Sequence, residues 1–232
     1  MNTTITTFNA CINDLKSMRA FYTYLKDYYH IPENELADLL RSELVNLVSA
    51  MDRFIHEIVR IGIVNSYLGY SQQTAKCKAI PFKLSTMNKI IDCKLLTTPP
   101  TCNEDIAEYW VNKEIVDILK TFSFQKIEKI KDALSYIWDN QYKLHEIIKK
   151  MKYKQFPGPD INANQKFLEQ KIDLIVTRRN QIVHEADYDI TINSKQTINT
   201  VWLDDTACFI INFIYSIYEN ITGDTTFYRM EF

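Results

Sequence analysis

The chain has 232 residues, 46% of them hydrophobic, with only four glycines and six prolines. That is enough apolar material for the core of one large domain or two small ones, and too few turn formers for a loop-rich or all-β protein. The balance of 27 basic and 29 acidic residues gives a net charge of −2, which excludes a globally basic nucleic-acid coat but leaves room for a local basic groove.

The five cysteines, Cys11, Cys77, Cys93, Cys102 and Cys208, are odd in number and include no C-x-x-C pair. They predict free thiols in a reducing cytosol. No N-terminal stretch joins a basic start to an apolar core, so no signal peptide is expected. No apolar run is long enough to span a bilayer; the run Ile210 to Ile217 is short and Asn212 interrupts it. The expectation is a cytoplasmic protein with no membrane partner.

Residues 4–29 read as a first helix, because Phe8, Ile12, Leu15, Met18, Tyr22 and Leu25 recur at steps of three and four. Tyr22, Tyr24, Tyr28 and Tyr29 thicken its end, and Pro32 predicts a break. Residues 34–66 read as a long second helix with a wide apolar stripe from Leu36 to Val59. Ser49 and Ala50 offer another helix close approach. Asp52 with His56, and Arg53 with Glu57, stand four apart and read as a solvated face with weak ion pairs; the alternative puts Asp52 or His56 near a functional groove.

Residues 66–103 read as an insertion of loop and short helix. Gly69, Ser71, Pro81, Pro99 and Pro100 interrupt it, with one short helix expected from Lys83 to Cys93. Residues 104–121 predict a third long helix, with Glu104 and Asp105 in the turn where the helix dipole favours anions. After Ser123-Phe124-Gln125, residues 126–151 predict one or two helices ending at Phe156-Pro157-Gly158-Pro159. Lys143, Lys149, Lys150, Lys152 and Lys154 form the densest basic patch. It suits a helix C-terminus and solubility, or contact with a phosphate backbone. Residues 162–186 predict a further helix, residues 187–193 a loop or short extended piece, and residues 197–221 the final helix. Residues 222–232 are expected to be a loose tail. No low-complexity linker or internal repeat occurs. The sum is an all-α chain: a single helical bundle over residues 1–232 with one loop and short-helix insertion.

Several chemistries are missing. There is no Walker loop, no G-x-G-x-x-G and no H-E-x-x-H. There is no G-x-S-x-G elbow. His30, His56 and His145 are scattered, and neither His145-Glu146 nor His184-Glu185 has a second histidine at helical spacing. No metal and no cofactor are expected. Concentrated polar chemistry occurs in Arg178-Arg179-Asn180-Gln181-Ile182-Val183-His184-Glu185-Ala186-Asp187. Asn180 and His184 share a helix face. Arg179 and His184 are five apart, about 140° around the helix, so they flank a groove rather than touch. RNA carries its own nucleophile, the 2′-OH. Its cleavage needs proton transfer, which histidine supplies, and a cation on the phosphate, which arginine's donor fork supplies. By spacing alone the run reads first as a capped helix end with a solvated histidine, and catalysis is the lesser reading.

The run resembles the Arg-polar-x-x-x-His motif of the HEPN superfamily (higher eukaryotes and prokaryotes nucleotide-binding). Val176 to Asp187 is similar to the RiboL-PSP-HEPN branch, as is Leu47-Val48-Ser49-Ala50-Met51-Asp52-Arg53-Phe54-Ile55-His56 to its early helix. Ser123-Phe124-Gln125 and the following helix also fit, so that the resemblance covers roughly residues 35–220. It implies an all-α bundle that dimerises so that two motifs face one groove. It further implies metal-independent RNA cleavage, often in toxin–antitoxin, abortive-infection or anti-phage systems, where an antitoxin or sensor protein is a further partner. Arg179 would bind the scissile phosphate, His184 would be general acid or base, and Asn180 would be the polar partner. Arg178, Glu185 and Asp187 are expected to shape the helix end. Another HEPN group has a tyrosine two positions after the histidine, modified by a nucleotidyltransferase; here Ala186 stands there and Tyr188 follows. The alternatives are a non-catalytic HEPN module that binds RNA or a partner protein, and a plain helical interaction domain.

Overall fold

The computed structural model describes residues 2–95, 103–152, 156–189, 191 and 193–232, with the backbone alone at 93–95 and 103–106. Expectations placed on Pro99, Pro100, Cys102 and Lys154, and on the side chains of Cys93, Glu104, Asp105 and Ile106, lie outside these residues. Among the described residues the chain is all-α apart from one short ladder. In order come α1 (Asn2–Tyr28), α2 (Glu33–Tyr67), α3 (Ala75–Lys78), α4 (Leu84–Leu95), α5 (Asn103–Leu119), α6 (Ile127–Leu134), α7 (Lys143–Lys150) and α8 (Ile161–Glu185). The strands β1 (Tyr188–Asp189) and β2 (Ser194–Lys195) precede α9 (Thr200–Thr222). The strands pair antiparallel, Tyr188 opposite Lys195 and Asp189 opposite Ser194.

The long helices lie where apolar periodicity places them. The stretch 126–151 resolves into α6 and α7, parted near Asp139 and Asn140, residues that favour turns. The one-turn helix α3 is too short to show a period. It is started by Thr74, whose hydroxyl accepts from Cys77 N at 3.0 Å and donates to Ser135 O at 2.9 Å.

The residues fall into two compact units. One comprises Ile55–Phe124 and Glu128–Gln141; the other comprises Asn2–Phe54, Gln125–Ile127 and Tyr142–Phe232. In the first, α4 packs on α5, and Thr86 Oγ1 donates to the buried carboxylate of Glu114 at 2.7 Å. Gly62 is required by crowding, since a Cβ there would lie 2.5 Å from Ile137 Cγ2. Glu57 pairs with Arg60, three residues on. His56 lies against the Phe124 ring at 4.4 Å.

In the second unit the core is built on α9. Its middle, from Phe209 to Glu219, is buried at every position except Asn212. A helix apolar nearly all round belongs in the centre of its unit. Phe8 of α1 meets Phe54 of α2 and Tyr215 of α9 edge-on, at 5.7 and 6.1 Å. Arg19 ties α1 to α2 through Glu43, at 2.8 Å, and to α9 through Asp204. Burial raises the Glu43 carboxyl above its ordinary range, and Arg19 opposes that. α7 packs on both α8 and α9.

The expected loose tail is a correction. Phe227 packs on the Tyr215 and Tyr218 rings at 5.2 and 4.9 Å, Met230 N donates to Tyr215 Oη at 2.7 Å, and Arg229 pairs with Glu219. Aromatic area in the last residues anchors a segment whose position in the chain suggested freedom. No helix among the described residues is long and apolar enough to cross a membrane.

Candidate active site on the motif helix

α8 carries the polar run in its last two turns. The helix starts where Asp160 accepts from Ala163 N at 2.9 Å, satisfying one of its orphan amides. It is held to the core by Leu168, Ile172, Ile175 and Val176, all buried. Its end is abrupt. Ala186 and Asp187 both adopt left-handed backbone, with φ of +50° and +64°, and both amides return to Gln181 O. Such a conformation costs an L-residue roughly 1 kcal/mol and needs compensation from outside the helix.

Asp187 supplies that compensation. Its side chain is fully buried and lies between two arginines. Arg41 Nε of α2 donates to Oδ2 at 2.5 Å, while Arg178 reaches Oδ2 and Oδ1, each at 2.9 Å. Each arginine also donates to backbone, Arg41 to Gln196 O at 2.8 Å and Arg178 to Thr197 O at 3.1 Å, and Arg41 Nη1 donates to the Asp38 carboxylate at 2.9 Å. Asp187 O accepts from Gln196 N at 2.9 Å. The returning strand, α2 and the end of α8 are thus locked by one buried carboxylate. Burial lowers the Arg178 pKa, the Asp187 charge pulls it back up, and Arg41 adds to the lowering. At the rim of this cluster, Lys195 bonds both oxygens of Asp38 at 3.0 and 3.2 Å and, with Arg41, holds that carboxyl below its usual range.

Arg179, Asn180 and His184 stand apart from the lock. Arg179 Nη1 donates to Asn180 Oδ1 at 3.1 Å, and its Nε is buried with no hydrogen-bond partner. No carboxylate pairs with Arg179 among the described residues, so most of its donor fork is uncommitted. His184 is exposed, and Val183 beside it is 45% exposed despite being apolar. The helix twist sets Arg179 and His184 about 140° apart, with Val183 and Asn180 between them. The structure therefore brings Arg179 and Asn180 together and leaves His184 on the far edge of the same open face.

The other expected features are placed elsewhere. Asp52 accepts from Gln125 Nε2 at 3.4 Å. In the basic patch, Lys149 pairs with Glu146 at 2.7 Å and Lys150 donates to Glu219 O at 3.3 Å. Arg41 is the residue that sequence reasoning missed. Its one signal is position: Ala37, Arg41, Leu44 and Val48 follow helical spacing, so a charge stands within an apolar stripe and needs a buried counter-charge. Among the described residues no group of three or more His, Cys, Asp or Glu side chains is arranged to hold a metal ion.

The sequence model of the family described as RiboL-PSP-HEPN matches residues 9–222, nearly the whole chain. No curated protein and no solved structure gives a significant match.

Proposed function

The chain belongs to the RiboL-PSP-HEPN family, and from that premise we propose that it is a metal-independent endoribonuclease that works as a homodimer. HEPN domains are often RNases. The observation that carries the reading is the open face of α8: an arginine with an unspent fork on one edge, an exposed histidine on the other, and no contact between them. Two such faces related by a two-fold axis set the arginine of one protomer opposite the histidine of its partner.

The chemistry follows from the residue types. Arg179 pairs with two oxygens of the scissile phosphate and offsets the charge that builds as the 2′-oxygen attacks phosphorus. His184 takes the proton from the 2′-OH or gives one to the departing 5′-oxygen. The P–O5′ bond breaks, leaving a 2′,3′-cyclic phosphate and a 5′-OH end. Asn180 holds the Arg179 guanidinium through the bond at 3.1 Å. The setting we propose is the cytoplasm, in a toxin–antitoxin, abortive-infection or anti-phage system, with RNA as substrate and an antitoxin or sensor protein as regulator.

The test is cleavage of single-stranded RNA by purified protein in EDTA. Wild type is expected to cut, and His184→Ala is expected not to. Full activity of His184→Ala overturns the assignment. RNA binding that Arg179→Ala weakens, with no cleavage by wild type, would instead identify a non-catalytic RNA-binding module.

A further inference from the structure

Beside the open face of α8 lies a groove of about 410 Å³, within the range of small-ligand sites. Its apolar wall is Val45 of α2 with Ile182 of α8 and Ala186 just after it, and its polar wall is Ser42 and Asn46 of α2. Around α8, Ile182 stands about 60° from Arg179 and about 160° from His184. The groove therefore adjoins the arginine edge of the face.

The charges around the groove are spent on one another. Lys195 bonds both oxygens of Asp38, and Arg41 is committed to Asp187, Asp38 and Gln196. A phosphate would find no free cation among these groups. The uncommitted groups are neutral. Asn46 is exposed, and among the described residues its amide nitrogen meets only Met18 Sδ, at 3.6 Å. Ser42 Oγ donates to Asp38 O at 2.8 Å and keeps its lone pairs as acceptors. An amide with one donor and one acceptor beside an apolar wall matches the edge and face of an unpaired base.

Resting on the nuclease reading, we infer that this groove seats the base of the nucleotide next to the scissile phosphate. Asn46 reads the base edge, Val45 and Ile182 pack on its face, and Arg179 holds the adjoining phosphate. The groove thus makes the substrate single-stranded RNA with a preferred base at one position beside the cut.

The experiment maps the cut in single-stranded RNA, then compares four RNAs differing only at the flanking base, in competition, with wild type and Asn46→Ala. Wild type should discriminate best from worst base by on the order of tenfold, and Asn46→Ala should reduce this to threefold or less. Ser42→Ala is the second variant, expected to lower the ratio by a smaller factor. If Asn46→Ala cuts none of the four, their affinities are compared instead, with the same flattening expected. No preference in wild type, or a preference that survives Asn46→Ala, overturns the inference and leaves the nuclease reading intact. A wild type that neither cuts nor binds RNA fails before any base is compared, and it overturns both.

Discussion

On one side of the last two turns of α8, Arg178 gives its guanidinium to the buried carboxylate of Asp187 and to Thr197 O. On the other side, Arg179 donates to its sequence neighbour Asn180, and among the described residues its buried Nε has no partner. Beyond it stands His184 in solvent. The two sides contain similar residue types and differ in what has been satisfied. A network of buried charges paired with one another stiffens a helix end and leaves few donors for a ligand. An open face has donors left but cannot hold its own geometry. The lock on the Arg178 side fixes the backbone three residues after His184, which is what an exposed histidine lacks.

Breaking the locked side should have the largest effect. Asp187→Ala leaves Arg41 and Arg178 without their counter-charge, and stability should fall by about 3–5 kcal/mol, read as a lower urea midpoint at unchanged slope. Arg178→Ala should cost less, because Arg41 still holds Asp187. A change within error for Asp187→Ala would mean that the lock is not a structural device. The open side should respond in the opposite way. Arg179→Ala and His184→Ala should each lower RNA cleavage by about a hundredfold or more, with the urea midpoint unmoved. A variant of either residue that unfolds the protein would erase the distinction between the two sides.

Smaller effects sharpen it. Ala186→Gly relieves a left-handed alanine and should raise stability by up to about 1 kcal/mol; a loss would show that the alanine methyl contributes more by packing than it costs in strain. Asp38 gives the smallest effect and a pH signature. Its carboxyl is held low chiefly by Lys195 and also by Arg41. Its contribution is therefore present above the ordinary carboxylate range and lost as the pH falls through the lowered value. For so exposed a pair the loss is a few tenths of a kcal/mol. Asp38→Asn should remove that part of the acid dependence and change little at neutral pH.

The helices were legible because their cores repeat at three and four residues over long spans, as in α2 and α9. The ends and short elements were not. α3 has one turn, and the break between α6 and α7 rests on ordinary turn residues. The tail hides its anchor in Phe227 and Met230, whose partners lie on α9. At the site, Arg179, Asn180 and His184 are candidates from their spacing and from the family resemblance, and they remain a proposal. The lock was not legible, because Arg41 and Asp187 are 146 residues apart and no local pattern joins them. Asp187 was expected to shape the helix end, and it does so by drawing in Arg41.

The central claim is that one chain carries half a site. Mixing Arg179→Ala protein with His184→Ala protein tests it directly, after subunit exchange and with each variant nearly inactive alone. In a two-fold dimer half the dimers are mixed, and each mixed dimer has one site with both wild-type residues. A divided site therefore predicts recovery to about one quarter of wild-type cleavage. No recovery, with both variants folded and exchanging subunits, would place Arg179 and His184 of a single chain in the same site and contradict the claim.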